Sequence, residues 1–301
     1  MNEIIIDTDP WVDDALAIMY AIKAWCNISW ITTIFWNSNI NNTTKNTLKT
    51  LSILDKNIPI YKWEAKPLKV EPKFAKSHWD WWFWWYNIAI NQKIQPKNAI
   101  SYLIDQLEKV KEKITIICLW PTTNIAKLAL SRPDLIKNIW KLIILWWVIL
   151  EKWNISPYAE FNVYNDPDAL KNILWLGINT YLIPINICRK VYFTLDDFNK
   201  INNKNISLSI KEITKQYIDY YQNDKEYWNF AWWVMYDLLA TTFLTNEEFF
   251  TYKDSYIDVI TDNLPNIWQT IEKYDKKTNC KLITWIDEPK IKDLFFNTMN
   301  K

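Results

Sequence analysis

A single glycine, Gly177, serves a chain of 301 residues, where about 7% glycine would be ordinary. Tight turns need residues that tolerate φ > 0, and one glycine cannot supply them across a domain of this size. Cysteine is also sparse: Cys26, Cys118, Cys188 and Cys280 are widely scattered with no CxxC pair, which excludes a zinc ribbon and a disulfide framework. Long hydrophobic runs are missing as well. The longest, "LIILWWVIL" (142–150), is too short to cross a bilayer and has the length of a buried strand. The N-terminal "MNEIIID" lacks the basic segment and small-residue cleavage site of a signal peptide, so a cytoplasmic location is expected. Neither charge dominates, with 35 Lys+Arg against 34 Asp+Glu, so no nucleic-acid or membrane-binding surface is indicated.

What the chain has instead is tryptophan, 21 of them. They stand where glycine chemistry is expected: after a proline in an acidic turn (Trp11), after apolar strands ("ICLWP", "IILWW"), and clustered in "HWDWWFWW" (78–85). Tryptophan is among the residues least suited to φ > 0. These positions read as glycines encoded by UGA in a genome that decodes UGA as glycine. Taken literally, the tryptophans imply strain at Trp11 and in the 79–85 loop, and a pocket partly filled by indole rings.

The first two-thirds of the chain alternates strand and helix patterns. "EIIID" is a short buried strand, followed by helical spacing in "DDALAIMYAIKA". The same rhythm gives strands over "ISWITTIF", "IPIYK", "ITIICL", "KLIIL" and "TYLIPINI". Helices are expected over "NTTKNTLKTLSIL", "PKNAISYLIDQLEKVKE", "TNIAKLALS" and "DPDALKNIL". Residues 195–250 look helical, and the tail alternates as antiparallel strands ("SYIDVITD", "QTIEKYD", "CKLITWID") before a last helix near 288–300. The fold class is therefore α/β, a mostly parallel central sheet flanked by helices with a small antiparallel C-terminal element. With no linker or repeat to divide it, 1–301 reads as one domain. In such a sheet the ligand site lies beyond the carboxyl ends of the strands, where the acidic cluster sits.

That cluster, "DTDPWVDDALAI" (7–18), carries Asp7, Asp9, Asp13 and Asp14. Like charges so close either raise one another's pKa or recruit a cation. Carboxylates without a His/Cys cluster favour Mg²⁺ or Ca²⁺ over zinc. A purely structural role, in which Asp13 and Asp14 favour a helix N-terminus, accounts for two acids and not four. Asp166 before Pro167 is most simply an N-cap with proline at N1. Thr122 and Thr123 stand where the following helix needs a cap.

With Trp11 read as glycine, "IIIDTDPWVDDALAI" resembles the DTDPGxDDxxA signature of the inosine–uridine nucleoside hydrolase family. "ITTIFWNSN" (31–39) is similar to that family's ITTVxGN, "HWDWWFWW" to its histidine-containing glycine-rich loop, and "LWPTTNIA" to LGPLTNIA. "LIILWWVILEKWNISPYAEFNVYNDPDAL" (142–170) resembles MGG…GN…AEFN…DPEAA in order and spacing. Trp11, Trp36, Trp79, Trp120, Trp146, Trp147 and Trp153 fall on family glycines.

The resemblance implies a Rossmann-like nucleoside hydrolase fold and calcium-dependent cleavage of the N-glycosidic bond of ribonucleosides, giving free base and ribose for nucleoside salvage. Carried over residue by residue, Asp9, Asp14, the Thr123 carbonyl and Asp237 would ligate Ca²⁺, with Asp9 as the base that activates water. Asp13, Asn37 and Asn162 would hold ribose hydroxyls, Asn154 and Glu160 the 5′ side, and His78 would line the pocket. One departure stands out. The family's HDPxA becomes "VMYDLLA" (234–240), so Tyr236 occupies the place of the histidine that helps protonate the leaving base, with Tyr221, Tyr227 or His78 as alternatives. Two other readings stay open: a catalytically silent nucleoside- or ribose-binding homologue, and a Mg²⁺-dependent phosphohydrolase using an aspartate nucleophile. The resemblance also implies a homodimer or homotetramer. It leaves purine versus pyrimidine preference undecided.

Overall fold

The computed structural model describes residues 3–35, 39–63, 66–69, 88–109, 114–145, 163, 166–223, 233–262 and 266–301. Apolar β-branched runs flanked by helical patterns give the expected alternation: β1 (Ile4–Thr8), α1 (Val12–Lys23), β2 (Ile28–Thr33), α2 (Ile40–Ile53), β3 (Ile60–Lys62), α3 (Ala99–Lys109), β4 (Ile114–Cys118), α4 (Thr123–Ser131), β5 (Ile139–Leu145), α5 (Pro167–Leu174) and β6 (Thr180–Ile183). Next come a short helix α6 (Ile185–Cys188), β7 (Tyr192–Phe193), the long helix α7 (Lys204–Asn223), β8 (Trp233–Val234) and α8 (Leu238–Thr245). The chain closes with β9 (Phe250–Val259), β10 (Thr270–Lys273), β11 (Cys280–Ile286) and α9 (Glu288–Met299).

Among the described residues, nine strands form one sheet in the order β10-β9-β11-β6-β5-β4-β1-β2-β3. From β3 to β11 all pairs are parallel, and β9 runs antiparallel to both β11 and β10. The small antiparallel element is thus continuous with the main sheet, because β11 pairs in parallel with β6. A separate two-stranded ribbon joins β7 to β8. The strand "TYLIPINI" is corrected: it stops at Ile183, Pro184 ends it, and Ile185–Cys188 turn helical. Proline lacks the N–H that a ladder needs.

Period-two alternation divides the core between the two faces. Ile4 and Ile6 point into a layer with α1, α7, α8 and α9, while Ile5 points into a layer with α3, α4 and α5. From β1 the chain first builds outward through β2 and β3, then returns to the other side of β1 with β4, β5 and β6. That reversal makes the carboxyl ends of β1 and β4 the topological switch point, where a crevice for a ligand is expected.

Helix ends show where left-handed backbone is required. At the end of α1, the Cys26 N–H donates to the Ala21 carbonyl (3.1 Å) and the Trp25 N–H to Ile22 (3.1 Å). This is a Schellman motif with Trp25 at C′ and φ 61°. The end of α2 repeats it, with Lys56 donating to Leu51 and Asp55 at φ 49°. In the β9–β10 turn the Trp268 N–H donates to Ile260 O and the Ile260 N–H to Gln269 O, a G1 bulge with Trp268 at φ 69°. Glycine is the usual occupant of both the C′ and the bulge position.

Candidate active site

The acidic turn forms because β1 delivers its last residues straight into α1. Trp11 is the N-cap, with extended backbone (φ −110°, ψ −157°), and its N–H donates to Asp14 Oδ2 at 3.0 Å. The expected strain at Trp11 is absent, since any residue adopts this backbone. Its indole is buried edge-on against Tyr217, ring centroids 4.8 Å apart. Loop 79–85 lies outside the described residues.

Asp13 and Asp14 occupy the first turn of α1, and Asp237 reaches them from the turn that opens α8. One carboxylate oxygen from each of the three lies within 4.8 Å of the others. Burial raises the pKa of Asp237 far above the ordinary carboxylate range, and the charges of Asp13, Asp14 and Asp9 push it the same way. Asp13 is raised likewise by burial and by Asp14. Asp14 is raised by burial against the pull of hydrogen bonds from the Thr8 hydroxyl and the Trp11 N–H. Several carboxyl groups whose ionisation burial opposes thus share one dry site, and an oxygen-seeking cation, which would favour their charged forms, fits such a donor set.

Asp9, fully buried, is the next residue after β1 and lies within electrostatic reach of Asp237. The three-carboxylate group that closes on itself contains Asp13 rather than Asp9, whereas the family resemblance assigns Asp13 to ribose. Asp7 faces away from this cluster, into a hydrogen-bonded niche. Its Oδ1 accepts from the Thr32 hydroxyl (2.7 Å) and from Asn124 Nδ2 (2.6 Å), and burial pushes its pKa up to about 7.

Thr123 begins α4 at the carboxyl end of β4, fully buried. Its hydroxyl donates to Asp166 Oδ2 at 2.6 Å. Asp166 is the expected N-cap of α5, accepting from the Ala169 N–H through Oδ1 at 3.1 Å, with Pro167 at N1. Thr122 makes no side-chain cap to α4. Tyr236, half-buried directly before Asp237, packs against both core layers. Asn37, His78, Asn154, Glu160 and Asn162 lie outside the described residues, as does Tyr227. Sequence reading passed over Thr8, Thr32 and Asn124 as site residues; their hydroxyl and amide groups hold Asp14 and Asp7. Only their places at strand ends and in "TTN" hinted at it.

Over residues 4–293 the chain matches the family described as "Inosine-uridine preferring nucleoside hydrolase". A probable uridine nucleosidase 1 from Oryza sativa subsp. japonica is 28% identical over 271 residues, covering 87% of this chain and 82% of that protein. A pyrimidine-specific ribonucleoside hydrolase RihA from Shigella boydii serotype 4 is 27% identical over 309 residues, covering 97% and 96%. Among solved structures, a plant nucleoside hydrolase superposes with a TM-score of 0.88 at 24% identity, covering 99% of each chain. The purine-preferring ribonucleoside hydrolase of Gardnerella vaginalis gives a TM-score of 0.88 at 19% identity, covering 99% of this chain and 98% of that one.

Proposed function

This chain belongs to the inosine-uridine preferring nucleoside hydrolase family and so to the ribonucleoside hydrolases, and on that premise we propose that it is calcium-dependent and serves nucleoside salvage. The observation that carries the calcium reading is the buried group of Asp13, Asp14 and Asp237 at the switch point of the sheet. Asp14 and Asp237, with Asp9 and the Thr123 carbonyl, would hold the ion. Calcium accepts about six to eight oxygens, leaving places for ribose hydroxyls and water, and its charge lowers the pKa of bound water.

The remaining chemistry falls to side chains of the chain. Asp9 takes a proton from water, whose oxygen forms the new bond to C1′ as the C1′–N bond breaks through an oxocarbenium-like transition state. Tyr236 donates the proton that the departing base needs. Asp13, Asn37 and Asn162 would hold ribose hydroxyls, Asn154 and Glu160 the 5′ side, and His78 would line the pocket near the substrate. Uridine is the first substrate to try, because relatives similar in sequence are named for uridine and pyrimidines. The protein would act as a single domain in the cytoplasm, as a homodimer or homotetramer.

Most of the tryptophans stand for UGA-encoded glycines in this reading. Support comes from Trp25 and Trp268, whose left-handed backbone is the kind that glycine adopts without strain. Trp11 and Trp120, which fall on family glycines, are not among the left-handed residues. Mass spectrometry of the native protein tests the idea; indole masses at Trp25 and Trp268 would overturn it.

The deciding experiment measures ribose release from uridine and inosine, with and without calcium chelation, by the chain carrying glycine at the suspect positions. Release abolished by chelation and restored by Ca²⁺ supports the reading. Calcium binding without release would make the chain a silent nucleoside binder, the reading that the exchange of histidine for Tyr236 favours. Release restored only by Mg²⁺ would overturn the calcium assignment.

A further inference from the structure

Asp166 does more than cap α5. It is 1% exposed, and its two oxygens accept three hydrogen bonds from three separate segments. Oδ1 takes the Ala169 N–H of its own helix (3.1 Å), which is the cap. Oδ2 faces the other way, accepting the Thr123 hydroxyl (2.6 Å) and the Leu68 N–H (3.0 Å). A helix cap needs only the first of these bonds. The other two spend a buried carboxylate oxygen on fixing the first residue of α4 and the 66–69 segment. That segment is fastened again nearby, by Lys69 to Asp168 across 2.5 Å and by Lys127 Nζ to the Lys66 carbonyl at 3.3 Å.

Thr123 is held on two sides. Its side chain is tied to Asp166, and the residue after it, Asn124, donates to Asp7 on β1 (2.6 Å). The peptide bearing the Thr123 carbonyl is thus fixed between α5 and β1. We propose that Asp166 is a positioning residue for the cation site: through Oδ2 it locks the Thr123 hydroxyl and so aims the Thr123 carbonyl at the ion held by the aspartates of α1 and α8. This rests on the calcium reading given above. A β-branched threonine suits the task, since its restricted χ1 couples the side-chain bond stiffly to the backbone. Outer partners of this kind typically contribute about 10- to 100-fold to metal affinity.

The test is calcium affinity by isothermal titration calorimetry on the full chain, alongside the thermal midpoint of each protein freed of metal. Thr123→Val removes the hydroxyl while leaving the Asp166–Ala169 cap intact, and Thr123→Ser restores the donor. Asp166→Asn keeps one acceptor oxygen for the cap and replaces the other with an amide that cannot accept. Expected is a fall of about 10-fold or more in affinity for Thr123→Val and Asp166→Asn, with Thr123→Ser within about twofold of wild type. A lowered metal-free midpoint with unchanged affinity in Thr123→Val would show a structural bond only and overturn the proposal. So would equal losses in Thr123→Val and Thr123→Ser. If the wild-type chain binds no calcium, the calcium reading falls and this inference with it, whereas normal wild-type binding with unaffected variants removes this inference alone.

Discussion

The middle and one edge of the nine-stranded sheet treat charge in opposite ways. Around β1 and β4, in the middle of the sheet, acidic groups are buried together: burial raises the proton affinity of Asp13, Asp14 and Asp237, and neighbouring aspartates raise that of Asp13 and Asp237 further. At the β9–β10 edge, partly buried acids are each paired with a lysine, Lys253 to Glu272 at 2.8 Å and Lys273 to Asp258 at 2.7 Å. The lysine beside Glu272 helps hold that carboxyl below its usual range, together with the Ser255 hydroxyl, against the opposing effect of burial. The edge minimises electrostatic energy pair by pair, while the middle accumulates it. Folded chains keep such an unfavourable cluster where something outside the chain relieves it, and the cation proposed above would do so.

The sharpest way to break that contrast is to remove one charge from the middle. Asp237→Asn should abolish detectable ribose release and cut calcium affinity by more than about 100-fold, beyond the usual range for outer partners. The same substitution should raise the stability of the metal-free chain at neutral pH by about 1–3 kcal/mol, because the fold no longer has to bury a carboxyl whose ionisation it opposes and the unfolded chain permits. Calcium should then no longer stabilise the variant, whereas at about 100 times its Kd it should stabilise wild type by roughly 2.7 kcal/mol. Denaturant melts with and without calcium measure both effects. A variant less stable without metal would mean that the cluster is a stabilising hydrogen-bonded network, and the comparison with the edge would collapse.

Second in size is the chemistry beside the cluster. Tyr236→Phe keeps the packing against both core layers and removes only the hydroxyl. If Tyr236 protonates the leaving base, kcat should fall by about 10²-fold, the lower end for general acid catalysis, with calcium affinity unchanged. An unaltered kcat would move that role to another residue. Tyr236→His should recover part of the rate, and more for a purine than for a pyrimidine nucleoside if the departing ring is protonated directly.

These contrasts were unequally legible in the sequence. The parallel strands were plain because buried strands read as continuous apolar runs, and the Asp166–Pro167 cap was plain because cap chemistry is local. The Thr123–Asp166 bond was not, since it spans 43 positions and only the tertiary fold brings the two together. Pro184 was written into "TYLIPINI", yet the apolar residues beyond it disguised a helical turn as more strand. Trp11 misled in another direction. A glycine-like neighbourhood suggested left-handed backbone there, while the tryptophans that adopt it among the described residues, Trp25 and Trp268, lie at a helix end and in a hairpin turn.

Trp25→Gly therefore gives a smaller, purely conformational prediction. The residue is 72% exposed, so little packing is lost, and left-handed backbone costs a non-glycine residue roughly 1–2 kcal/mol. The substitution should stabilise the chain by about 1 kcal/mol, read as a rise in the urea midpoint at constant slope. Trp11→Gly should not stabilise, since its backbone is extended and its indole is buried against Tyr217.

The smallest effect belongs to the edge. The Lys273 end of its pair with Asp258 is open to solvent, and ion pairs reached by solvent are usually worth between about 0 and 1 kcal/mol, with salt weakening them further. Lys273→Ala should therefore cost under about 1 kcal/mol at low ionic strength and less still at 1 M salt. Calcium affinity should not change, because β10 is the outermost strand and β9, β11, β6, β5 and β4 lie between it and β1. A loss of calcium affinity in Lys273→Ala would mean that the edge transmits to the middle through the sheet. The paired charges of the edge would then belong to the same electrostatic system as the buried aspartates.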